Sequence, residues 1–130
     1  MYCRLPWILS LAVLFSTLAF AASLTEEQKI DALIHSVEVL PGAQFIRNGS
    51  VHDGKAAAEH LRQKRSYAGD RIQTASDFIT YCASRSSTSG KAYLIRFANG
   101  ETVDTEAFLR AELARIEAAP TGVRETPPPH

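Results

Sequence analysis

The sequence predicts an α+β fold, three or four helices packed on a small, mainly antiparallel sheet. Two capping boxes, at Thr25 and Thr74, each open a run of apolar residues at helical spacing. Two extended apolar stretches, Gln44–Arg47 and Ala92–Ala98, are each followed by an Asn-Gly pair, the strongest short signal for a reversing chain.

Taken in order, Thr25-Glu26-Glu27-Gln28 starts an amphipathic helix over 25–39, with Ile30, Leu33, Ile34 and Val37 on its inner face. Pro41-Gly42 ends it. Gln44–Arg47 is short and extended, and Asn48-Gly49 turns the chain. Asp53 caps a second helix to about Tyr67, with Ala57, Leu61 and Ala68 inward and Gly69 as its stop. Thr74-Ala75-Ser76-Asp77 opens a third helix whose stripe is Ala75, Phe78, Ile79, Cys82 and Ala83. Ser84–Gly90 is a polar loop with no core-forming residue. Ala92–Ala98 is the best strand, with Tyr93, Ile95 and Phe97 on one face, and Asn99-Gly100 forms a two-residue turn into a short partner strand at Glu101–Val103. Asp104 or Thr105 caps a last helix that turns Phe108, Leu109, Leu113 and Ile116 inward.

The ends read differently. Met1–Arg4 is a short positive start, Leu5–Phe20 is an apolar run too short for a membrane span, and Ala19-Phe20-Ala21 is a small-x-small cleavage pattern. Residues 1–21 are therefore expected to be a cleaved signal peptide, 22–119 a single domain, and 120–130, with three consecutive prolines, a disordered tail. Without the leader, 43 of 109 residues are apolar, and Leu, Ile, Val and Phe make up 23 of them. That suffices for one small core and not for two. Removal of Arg4 leaves 13 basic against 14 acidic residues, a net charge of −1. A generic nucleic-acid binder or a polybasic membrane binder does not fit this balance, and stable membrane insertion after cleavage is not expected. Cys3 leaves with the leader, so Cys82 is the one remaining cysteine and an internal disulfide is impossible.

Several chemistries fail on spacing. Ser84–Lys91 is not a phosphate loop, because Arg85 stands where Gly is needed and Ala92 where the metal-binding hydroxyl belongs. A Ser-x-x-Lys pair fails because Thr88 is the residue three before Lys91. Cys82 lies on an apolar stripe and reads as core. His52-Asp53 and Glu59-His60 fall short of the three or four ligands a zinc site needs, so no metal or cofactor is expected. His35 pairs with Asp31 one turn back, and Arg62, Lys64, Arg65 and Arg71 form a solvated face balanced by Glu59 and Asp70. What remains is a loop of hydroxyls and backbone N–H groups around Gly90, flanked by Arg85 and Lys91, suited to an anion or a sugar.

Phe45-Ile46-Arg47-Asn48-Gly49, His60-Leu61-Arg62-x-Lys64, Arg71-Ile72-x-Thr74-Ala75-x-x-Phe78-Ile79 and Ala83-Ser84-x-Ser86-Ser87-x-x-Gly90-Lys91-x-Tyr93 occur in that order. With these blocks the chain resembles the YfeK-like family of small exported bacterial proteins, a domain of unknown function, over roughly 30–116. The resemblance implies a Gram-negative periplasmic protein with no established activity or cofactor, and it carries over no catalytic residue. The chain departs from the family pattern at Ala56, where an acidic residue often precedes Ala57, and at Ala92, where proline often follows Gly-Lys. The matched blocks mix core residues with polar ones that a core does not require, Arg47, Asn48, Ser86, Ser87 and Lys91 among them.

The expected function is a non-enzymatic binding domain for an anionic or saccharide envelope component, or for a protein partner. Its site residues are Arg47, Asn48, His60, Ser86, Ser87, Ser89, Gly90, Lys91 and Tyr93. If Arg47 and His60 approach the serine loop, they form one polar concavity. The alternative is a protein inhibitor of the lysozyme type acting through 84–93, and the third reading is a hydrolase using His60 and a loop serine.

Overall fold

The structure, a computed structural model, describes residues 23–119. The expected signal peptide over 1–21 and the tail over 120–130 lie outside the described residues. In chain order the elements are α1 (Glu26–Glu38), β1 (Gln44–Arg47), β2 (Ser50–His52), α2 (Gly54–Ala68) and a 3-10 turn (Gly69–Arg71). Then come α3 (Ala75–Phe78), running into a π-helical segment (Ile79–Ala83), β3 (Leu94–Arg96), β4 (Thr102–Asp104) and α4 (Thr105–Ala118).

Local chemistry sets the helix starts. The Thr25 hydroxyl accepts from the Gln28 N–H while Gln28 Oε1 accepts from the Thr25 N–H, so two orphan donors of α1 are satisfied reciprocally. Thr74 and Asp77 repeat the arrangement at α3. Asp53 caps α2 by accepting from the Ala56 N–H at 2.8 Å. Beyond Phe78 the third helix differs from expectation, because its backbone bonds loosen into a π-helical segment. The apolar stripe survives this change: Ala75, Phe78, Ile79, Cys82 and Ala83 are all buried.

The four strands are antiparallel in the order β2-β1-β3-β4. Register places His52, Phe45, Ile95 and Val103 in one row across the sheet. Side chains alternate along a strand, so Arg47 and Tyr93, two residues from Phe45 and Ile95, share that inner face. Four helical segments cover it, and the core of Ile30, Leu33, Val37, Phe78, Ile79, Ile95 and Leu109 lies between.

Four expectations are corrected. The β3–β4 turn holds three residues, not two: Phe97 pairs with Glu101, and Gly100 closes the loop at φ 88°. The strand expected over 92–98 is regular only at Leu94–Arg96, since the chain must turn out of the loop before it and into the hairpin after it. Asp31 does not serve His35. It accepts from Arg65 of α2, whose fork also reaches Glu27, because helix packing brings this guanidinium over both carboxylates. Arg62 likewise pairs with Glu38 at 2.8 Å, so α1, rather than Glu59 and Asp70, balances the charges of α2. The serine loop places no residue in the apolar core, although the hydroxyl-bearing Ser84 and Ser86 are buried.

Candidate functional site

The second helix, the end of β1 and the serine loop meet at one corner of the sheet. Along α2, His60, Gln63, Lys64 and Tyr67 follow at the spacing of one helix face. Arg47 rises from the inner face of the sheet beside them. Asn48 sits in the left-handed region at φ 50°, a conformation that Asn tolerates, and Gly49 follows at φ 78°. This tight hairpin turns Asn48 toward the serine loop.

The loop is held shut by its own hydrogen bonds. Ser86 N–H donates to the Lys91 carbonyl at 2.9 Å, and Gly90 N–H donates to the Ser86 carbonyl at 3.0 Å. The buried Ser86 hydroxyl accepts from Asn48 Nδ2 at 3.2 Å and from the N–H groups of Thr88 and Ser89, both at 3.3 Å. Ser89 Oγ donates to Asn48 Oδ1, so Asn48 clamps the loop through both ends of its amide. Ser84 Oγ donates to the Thr80 carbonyl at 2.6 Å, tying the loop to the end of the third helix.

These elements enclose a concavity of about 420 Å³ lined by Arg47, Asn48, His60, Ser86, Ser87 and Tyr93, together with Gln63, Lys64, Tyr67 and Thr88. Six of the nine residues expected at the site therefore stand in one wall. The other three do not line it. Ser89 braces Asn48, Gly90 turns the chain at φ 71°, and Lys91 is exposed, its N–H donating to Ser89 Oγ. Of the residues that the expected site set omits, Gln63, Lys64 and Tyr67 are marked in the sequence by their 3.6-residue spacing from His60. Thr88 carries no such mark.

Electrostatically the wall is one-sided. Among the described residues no carboxylate lines it, whereas Arg47 and Lys64 both do. Lys64 Nζ donates to Tyr93 Oη at 3.1 Å and to the Arg85 carbonyl at 3.1 Å. Arg47 makes no salt bridge or side-chain hydrogen bond among the described residues. His60 Nε2 lies 3.4 Å from Tyr93 Oη, with the rings edge to face. Partial burial, with the positive charges of Arg47 and Lys64 adding to it, lowers the His60 imidazole to about 4, so it is neutral near pH 7. Tyr67, at the rim, is 90% exposed.

An adjoining concavity on the other side of His60 is lined by His52, Asp53, Lys55 and Glu59. Among the described residues no three His, Cys, Asp or Glu side chains group closely enough to hold a metal ion. Cys82, in the π-helical segment of the third helix, is buried in the core and lines neither concavity. The hydroxyl nearest the His60 ring nitrogen is that of Tyr93, and Ser86 instead bonds Asn48 and its own loop.

The sequence profile of a family of unknown function, DUF5329, matches residues 24–117. The chain is also 40% identical over 68 residues to the "Uncharacterized protein YfeK" of Salmonella typhimurium. That alignment covers 52% of this chain and 57% of the relative, so the chain spans a little over half the length of the curated protein it matches. No solved structure matches it.

Proposed function

The chain belongs to the YfeK-like family of unknown function, DUF5329, and from that premise we propose that it is a non-enzymatic binding domain for an anionic, hydroxyl-rich ligand of the saccharide class. The observation that carries the reading is the concavity wall, which among the described residues holds Arg47 and Lys64 and no carboxylate. The Arg47 guanidinium, without a partner among the described residues, offers a bidentate site to a phosphate or carboxylate. Gln63, Ser87 and Thr88 add neutral donors and acceptors of the kind hydroxyl groups pair with. The exposed ring of Tyr67 presents an apolar face at the rim, against which the C–H face of a sugar packs. Export to the periplasm is part of this reading and rests on the leader sequence alone.

The test is a melting curve of the purified chain with inorganic phosphate, glucose 1-phosphate and glucose, repeated on Arg47→Gln. A ligand at about 100 times its dissociation constant stabilises by roughly 2.7 kcal/mol, several degrees for a domain this small. The phosphorylated sugar is expected to raise the midpoint most, and Arg47→Gln to abolish the rise. Equal midpoints with and without every compound overturn the reading.

A second reading, a protein inhibitor acting through 84–93, is favoured by one feature. Ser89, Gly90 and Lys91 are exposed on a loop already fixed by its own hydrogen bonds, and a preorganised loop loses little entropy on docking. Slowed turnover by added lysozyme, restored by Lys91→Ala, supports this reading, and unchanged turnover removes it.

A further inference from the structure

Behind the concavity lies a smaller cavity that the binding reading does not use. It sits between α2 and the inner face of the sheet, with apolar walls from Val37, Phe45, Ala57 and Leu61. Its volume is about 50 Å³, and at about 10–15 Å³ for each water-sized atom this has room for a group of about three or four heavy atoms. Two of the residues lining it carry buried polar atoms without a hydrogen-bond partner among the described residues: His52 Nε2 and Thr105 Oγ1. Thr105 is 4% exposed, so water outside the protein does not serve its hydroxyl. Buried polar atoms are almost always paired, and one that is not marks a place where a partner belongs.

Arg47, His60 and Tyr93 line both this cavity and the concavity, while Arg47, His52, Ala56 and His60 line both it and the adjoining concavity. A sugar ring seated in the concavity can therefore send one short substituent inward past His60. The cavity chooses among substituents. Its apolar walls disfavour a charged group. A bare methyl leaves both polar atoms unpaired. A hydroxymethyl offers a single oxygen to two separate atoms and no apolar end to the walls. An acetamido group has a methyl for the walls, a carbonyl oxygen to accept from the Thr105 hydroxyl, and an N–H to donate to His52 Nε2.

We propose that this cavity receives the acetamido group of an N-acetylated sugar whose anionic group is held in the concavity by Arg47 and Lys64. The inference rests on the binding function proposed above and narrows its ligand class. Arg47 lines both spaces, so a sugar that carries the two groups on neighbouring carbons is the probe to use.

The experiment is calorimetric titration of the purified chain with N-acetylglucosamine 1-phosphate and with glucose 1-phosphate, which share the anion and differ in the acetamido group. The acetylated sugar is expected to bind about tenfold more tightly, a difference of about 1.4 kcal/mol. Ala56→Leu adds bulk to the wall of the cavity from an exposed helix position that does not line the concavity. It is expected to erase that ratio and leave glucose 1-phosphate binding unchanged. Thr105→Val keeps the shape of the cavity, removes one polar partner, and is expected to lower the ratio severalfold. Equal binding of the two sugars by the unaltered chain overturns the acetamido assignment and leaves the concavity standing. If neither sugar binds at about 10 mM, both readings fall together.

Discussion

Lys64 Nζ donates to Tyr93 Oη at 3.1 Å, joining the exposed side of α2 to a phenol that is 7% exposed on the inner face of the sheet. The same ammonium donates to the Arg85 carbonyl, so one side chain pins helix, sheet and serine loop together. Tyr93→Phe removes the acceptor and keeps the ring. A buried hydrogen bond to a charged donor contributes about 1.5–3 kcal/mol, and Lys64 keeps its bond to Arg85. We expect a loss of about 1–2 kcal/mol in urea unfolding, and an unchanged midpoint would show that this bond contributes nothing.

Stability is expected to fall with acid through His60. Its pKa lies at about 4 in the folded chain against an ordinary 6.5, so the unfolded chain binds the proton more readily. The stabilising effect is fully present above pH 6.5 and declines as the pH drops toward 4. His60→Gln removes this dependence. Unfolding free energies measured from pH 7.5 to 4 on both chains check it, and parallel curves would mean that His60 is not the group responsible.

Gly54→Ala separates propensity from packing. Alanine favours a helix over glycine by about 1 kcal/mol at an interior position. A Cβ at Gly54, however, would stand 2.8 Å from the Val37 carbonyl oxygen and 2.7 Å from that of Glu38, where the end of α1 crosses the start of α2. Backbone cannot yield there as a flexible side chain would, so a net loss of about 1–3 kcal/mol is expected. A raised melting temperature would contradict the close approach.

Thr105→Val should stabilise the ligand-free chain. The parent hydroxyl is buried without a partner among the described residues, and replacing it by a methyl removes an unmet demand of about 1 kcal/mol or more. A melting point raised by several degrees checks the expectation.

The Cys82 thiol should resist reagents in the native state. Burial pushes its pKa up, with Lys64 and Arg65 opposing only in part. Labelling by a water-soluble disulfide reagent is expected to be slow and to accelerate in step with urea unfolding. Immediate labelling without denaturant would place the thiol outside the core.

Local signals carried most of the fold. The capping boxes at Thr25 and Thr74, the Asp53 cap and the Asn48-Gly49 turn act over three or four residues, and each appears where its chemistry points. The register that sets Arg47 beside Tyr93 depends on pairing over 46 positions and has no local mark. The π-helical segment after Phe78 and the three-residue turn at Ala98–Gly100 are decided by packing and strand register, so periodicity alone could not supply them. The site shows the same division. His60, Asn48 and the serines could be named because their types suit polar recognition. The clamp from Asn48 onto Ser86 and Ser89 spans about forty residues of chain and emerges only in three dimensions. Lys91 illustrates the converse, since a cation next to glycine suits an anion by type and yet stands outside the wall.

The measurement that bears most directly on the concavity as a ligand site is a two-dimensional amide NMR titration of the isotope-labelled chain with N-acetylglucosamine 1-phosphate. Saturable shifts are expected, confined to Arg47–Gly49, the exposed face of α2 from His60 to Tyr67, and the loop from Ser86 to Tyr93, all lost in Arg47→Gln. No saturable shift, or shifts centred elsewhere on the fold and kept in Arg47→Gln, would contradict it.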